Sequence, residues 1–181
     1  MPLVKQFGAE EKLWGAVREA ATALERWPLV IEAATTGMRI ASKDEKSWHV
    51  PDLALALHRT GRDADALAAI RKGIGWRSNI NSSRVSLIPE GVTPAFRAEA
   101  LRVINDAYPT DQEAWMLRGS EATDPTERAH ALKKVVELVD AMSFGGDFFD
   151  KRRVAAQRLL EHDRIASFSP ADRLAALRAF A

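Results

Sequence analysis

Residues 56–73 read Ala56-Leu57-His58-Arg59-Thr60-Gly61-Arg62-Asp63-Ala64-Asp65-Ala66-Leu67-Ala68-Ala69-Ile70-Arg71-Lys72-Gly73, and this stretch decides the fold. Leu57 closes an apolar series begun by Val50, Leu53 and Ala54 at helical spacings of three and four, so one side of a helix is apolar and the other is not. Gly61 follows, where a chain leaving a helix needs the left-handed backbone that glycine adopts without a Cβ penalty. Asp63 and its neighbours restart helix, with Ala66, Leu67, Ile70 and Ile74 recurring along it. Two short helices joined by a tight turn form a hairpin. Ala66 is small where the helices are expected to cross, and a larger side chain there would hold the backbones apart.

The same logic extends in both directions. Leu13, Trp14, Val17, Ala20, Ala21 and Leu24 predict a helix over roughly 10–26. Pro28 suits the first turn of the next, which carries Leu29, Val30, Ala33, Ala34 and Met38 toward Ile40. Further along, Phe96, Ala100, Leu101, Ile104 and Ala107 make a stripe that stops at Tyr108-Pro109. Thr110-Asp111 opens Ala114, Trp115 and Leu117, and Thr126-Glu127 opens Ala131 to Met142. Asp147 and Ser169-Pro170 head two more helices, near 147–160 and 170–180, so the sequence predicts about nine helices and an all-α chain. The breakers Gly75, Pro89, Gly91 and Pro94 predict one long irregular connection over 76–92, expected to be the most mobile internal segment. Val85-Ser86-Leu87-Ile88 has strand-like character but no partner strand, so it reads as loop.

Paired helices prompt a search for repeats, because each pair buries its apolar face only against a neighbour. Val50, Leu53, Ala54, Leu57, Gly61, Ala66, Ile70 and Gly73 resemble the tetratricopeptide repeat, and Trp115, Gly119, Ala131 and Val135 fall at the same internal spacings. From Ala66 to Ala100 is 34 positions, the repeat length of that family, and from Ala100 to Ala131 is 31. The resemblance is clearest over 47–78 and 112–142, and it implies a single domain over 1–181 built as an α-solenoid of antiparallel helical hairpins. It also implies a concave groove on the first helices that holds a peptide or partner helix. Carried over position by position, the groove residues are Trp48, Leu55, His58 and Arg59, extended by Glu113, Met116 and Ser120. The function implied is a non-catalytic adaptor for a protein or peptide partner.

Composition bounds the alternatives. The chain has 181 residues, with Lys+Arg 26 against Asp+Glu 25 and a formal charge of +1, so no global field favours a polyelectrolyte. Nucleic acid is therefore disfavoured. Its best local case is the basic and aromatic set Arg71, Lys72, Trp76, Arg77 and Arg84, which stands as the alternative site. With Cys 0 there is no disulfide and no thiolate chemistry. The early charges Glu10-Glu11-Lys12 do not fit a signal peptide, no apolar run approaches the length of a membrane span, and a cytoplasmic protein is expected. The Ala- and Arg-rich usage is of a kind common in GC-rich bacteria. Three carboxylate-imidazole pairs, His49 with Asp52, Glu127 with His130, and Glu161-His162-Asp163, invite a metal reading. A di-iron bundle needs the Glu-x-x-His motif twice, and the second copy is absent, so no metal or other cofactor is expected. Gly145-Gly146-Asp147 has no preceding strand to make it a phosphate loop and reads as a helix cap. No nucleophile elbow or lysine-bearing phosphate loop occurs, and no catalytic residue is assigned.

Overall fold

A computed structural model describes residues 11–43, 45–77 and 83–141. Among them the chain is all-α, with seven helices: α1 Glu11–Ala23, α2 Trp27–Ile40, α3 Val50–Arg59, α4 Asp63–Trp76, α5 Pro94–Ala107, α6 Gln112–Glu121 and α7 Pro125–Ala141. Two short 3-10 helices, Glu45–His49 and Val85–Leu87, lie between them, and no strand is present among the described residues. The helices expected near 147–160 and 170–180 fall outside those residues. The chain divides into two compact units between Ala107 and Tyr108.

In the first unit α1 packs on α2, α3 on α4, α2 on α3, and α4 on α5. The turns explain the tight hairpins. After α3 the backbone reverses at Gly61, whose φ is +74°. Arg62 N–H reaches back to Leu57 O at 2.8 Å and Gly61 N–H to His58 O at 3.0 Å, the paired bonds of a Schellman cap. An equivalent cap ends α1 three residues before the apolar stripe predicts. There Arg26 N–H bonds Ala21 O at 2.8 Å and Glu25 N–H bonds Thr22 O at 3.0 Å. Glu25 itself holds the left-handed position, with φ of 51°.

Most residues of the predicted stripes are buried, but Ala20 and Leu24, at and beyond the end of α1, and Ala107, at the end of α5, are exposed because the helices end there and nothing among the described residues packs over them. Val30, Ala33 and Ala34 of α2, Val50, Leu53, Ala54 and Leu57 of α3, and Ala66 and Ile70 of α4 are buried, as are Ala100, Leu101 and Ile104 of α5. Gly73 lies where α4 meets α3 and the second 3-10 helix: a Cβ there would sit 3.0 Å from Val50 Cγ2 and 3.2 Å from Leu87 Cδ2.

That contact corrects the reading of 76–92 as irregular loop throughout. Trp76 belongs to α4, Val85–Leu87 form a helical turn, and that turn packs on α3 and α4. Leu87, Ile88 and Pro89 are buried. A short apolar run can be drawn into a core as a single turn without any repeating period to announce it.

The second unit pairs α6 with α7. Asp111 caps α6 by accepting from Ala114 N–H at 3.0 Å, and Trp115 Nε1–H donates to Pro109 O at 2.8 Å. Gly119 admits Leu132: a Cβ at 119 would lie 2.7 Å from Leu132 Cδ2. Ala131 and Val135 are buried beside it. Among the described residues no helix is long and apolar enough to cross a membrane.

Candidate functional site

The first unit carries a trough of about 470 Å³ whose walls are α2 and α4. That volume lies in the range of ligand-binding clefts, about 300–1,000 Å³. Leu53 and Leu57 of α3, one helical turn apart and nearly buried, form its floor. Ile31, Thr35, Met38 and Arg39 supply one wall along a single stripe of α2, and Asp65, Ala68, Ala69, Lys72 and Trp76 supply the other along α4. Lys46 and Arg62 complete the rim. The interior is therefore apolar and the edge basic.

The charges on that edge are not equivalent. Arg62 is engaged by Asp65 at 2.8 Å. Arg39, Lys46 and Lys72 make no side-chain ion pair or hydrogen bond among the described residues. Arg39 and Lys72 are exposed, Lys46 is half-buried, and all three remain able to meet an anion.

None of the groove residues carried over from the repeat resemblance lines this trough. Trp48 stands on the surface at 64% exposure. Leu55 is half-buried on α3. His58 is a structural node: Nδ1–H donates to Asp63 Oδ1 at 2.7 Å, Nε2 accepts from Thr93 N–H at 3.3 Å, and the ring lies 4.5 Å from that of Phe96. Arg59 donates to Gly91 O at 2.9 Å. The two residues thus hold the ends of α3, α4 and α5 in place. Glu113 and Met116 are half-buried and Ser120 exposed on α6, in the second unit.

The basic and aromatic set divides. Lys72 and Trp76 enter the trough. Arg71 is exposed beside it in sequence. Arg77 donates to Ser83 O at 2.5 Å. Arg84 is drawn inside, at 3% exposure, and is not a surface group.

A second polar cluster lies in the first unit. Arg18 of α1 donates from Nη1 to His49 Nδ1 and pairs through Nε with Asp52 Oδ2 at 2.7 Å. Arginine has only donors, so His49 must present its lone pair on Nδ1 and carry its proton on Nε2. Burial, helped by the Arg18 charge, lowers the His49 pKa to about 4. Burial also pushes the Asp52 carboxyl upward, against the opposing pull of Arg18. The His49-Asp52 pair is thereby tied to an arginine. In the second unit Glu127 accepts from Arg118 at 3.1 Å, and His130 meets the edge of Trp115. Among the described residues no group of three or more potential ligands could hold a metal ion. The Glu161-His162-Asp163 cluster and the Gly145-Gly146 segment lie outside the described residues.

No protein-family model matches the chain, and no curated protein matches it either.

The trough was available to sequence reasoning in one respect. Between Trp27 and Met38 the only charged residue is Glu32. A helix apolar on nearly every side must cover a second face as well as its core stripe. Ile31 and Met38 are that second face. What the sequence does not carry is that α4 would bring Lys72 and Trp76 opposite them.

Proposed function

We propose that this chain is a non-catalytic protein-interaction module, a tetratricopeptide-like array of helical hairpins that binds a segment of a partner protein. The observation that carries the reading is the trough over Leu53 and Leu57, an apolar channel left open between two helices of a well-packed unit. Apolar side chains lining an accessible groove gain free energy when a partner removes them from water, about 25 cal/mol per Å². The site reading thus moves from the first helices of the hairpins, where the resemblance places it, to the second helices α2 and α4. The repeat resemblance gains support from buried Ala66, Ala100 and Ala131 and from Gly119 seated on Leu132. The nucleic-acid alternative loses part of its residue set, since Arg84 is internal and Arg77 is engaged by Ser83.

The test is position-specific crosslinking. A photoreactive phenylalanine analogue at exposed Ala68, inside the trough, should give a discrete adduct with one protein in source cells. The same analogue at exposed Ser86, outside it, should not. Equal labelling from both positions, or none from Ala68, would sink the reading.

A further inference from the structure

We infer that the occupant of the trough is an acidic amphipathic helix, a partner segment with apolar residues at i, i+3, i+4 and i+7 and carboxylates beside that stripe. This rests on the reading of the trough as a partner site and specifies its chemistry.

Three observations converge. First, the trough lies between two helices that share an α-helical neighbour. Its walls α2 and α4 each pack on α3, so one helix separates them. Packed helices sit about 8–10 Å apart and a helix with its side chains is about 10–12 Å across. A fourth helix can lie above Leu53 and Leu57 as α3 lies below. Second, walls and floor are almost wholly helical. Their backbone N–H and C=O groups are already bonded within each helix, so an extended strand would find no edge to pair with and would bury its own backbone unsatisfied. A helix satisfies its backbone internally and brings only side chains. Third, the rim is basic and uncompensated. Arg39, Lys46 and Lys72 surround the apolar floor, while Asp65, the one lining carboxylate among the described residues, is occupied by Arg62. With a net charge of +1 for the whole chain, this is a local arrangement. An incoming helix flanked by glutamates would pair with these cations, whereas one flanked by lysines would face like charge at each.

Among the described residues Trp76 is the only aromatic lining the trough. Single-stranded nucleic acid is held by successive aromatic platforms, and one ring does not provide them.

The experiment uses the full chain and three fluorescein-labelled, end-capped peptides of about 16 residues, long enough for four helical turns. All carry leucines in the i, i+3, i+4, i+7 stripe; the flanking positions hold glutamate, glutamine or lysine. Fluorescence anisotropy should rank them glutamate, glutamine, lysine, with the first binding roughly tenfold more tightly than the second at low salt, and the gap closing near 1 M salt. The variant Arg39→Glu/Lys72→Glu alters two exposed side chains and should retain its circular dichroism spectrum. It should reverse the ranking. Equal binding of all three peptides overturns the acidic assignment and leaves the trough a partner site. Binding of none, with dodecanoate or a thymidine oligonucleotide bound at Leu53 and Trp76 instead, overturns both.

Discussion

The imidazole of His49 lies flat against the backbone of Gly37: a Cβ added at 37 would sit 2.6 Å from His49 Cε1 and 3.0 Å from both ring nitrogens. His49 is itself almost fully buried and held by Arg18, so the ring cannot swing aside cheaply. Gly37→Ala is expected to lower stability by about 1–3 kcal/mol through overpacking. Gly15, in the interior of α1, has nothing within 4 Å of where its Cβ would be. Gly15→Ala should therefore raise stability by up to about 1 kcal/mol, the helix-propensity difference. Urea unfolding of the two variants measures both signs. A neutral Gly37→Ala would remove the argument that this glycine makes room for His49.

Stability should fall as pH drops from about 6.5 to about 4. In the unfolded chain His49 titrates at the ordinary imidazole value of 6.5, and burial in the folded chain lowers this to about 4. Between those values the unfolded chain holds a proton that the folded chain rejects. The stabilisation is thus complete above 6.5 and is lost on acidification, at most about 1.4 kcal/mol per pH unit and about 3 kcal/mol in all. Asp52 acts oppositely. Its carboxyl is raised by burial from 3.8, so its contribution is complete below that value and declines as pH rises through the raised one. His49→Gln keeps an acceptor for Arg18 and removes the titration. Urea midpoints for that variant should vary less between about pH 6.5 and 4 than those of the parent; parallel pH profiles would refute the assignment.

Glu25 occupies a left-handed backbone position normally given to glycine. Replacing it by glycine should relieve about 1 kcal/mol of backbone strain and raise the melting temperature. Gly61→Ala should do the reverse, since Gly61 has the same role at the end of α3 with φ of +74°. If the two substitutions shift stability in the same direction, the equivalence of the two caps is wrong.

Leu87 is fully buried although it sits in a segment whose sequence reads as a connection. Leu87→Ala should cost about 2–5 kcal/mol, as for a helix-core leucine. Ser86→Ala, one residue away and exposed, should be neutral within about 0.5 kcal/mol. Equal small effects would return 84–89 to the status of a surface loop.

Much of the fold is legible in local pattern. The period of three and four at Leu53, Ala54 and Leu57 and at Ala66 and Ile70 places the buried faces, because a helix buries one stripe whatever it packs on. Gly61 marks its own turn because only its backbone is free of a Cβ. Asp111 announces a helix start through its side-chain oxygen. Where local cues mislead, a tertiary contact has outweighed a preference. Glu25 accepts left-handed geometry because the capping bonds and the α1–α2 packing hold it there. Arg84, a basic residue in a polar stretch, is internal.

The candidate site divides along the same line. Composition alone set a near-zero net charge and excluded cysteine chemistry, and residue spacing determined which side of most helices is buried, since both depend only on side-chain chemistry and the 3.6-residue period. Which apolar residues remain open was decided by tertiary structure. Ile31 and Met38 are distant in sequence from Trp76 and share the trough with it only because α2 and α4 both pack on α3, and His58 and Arg59 meet Thr93 and Gly91 only because the chain returns to them 35 and 32 positions later. A helical period states the direction in which a side chain points. What it finds there depends on the path of the rest of the chain.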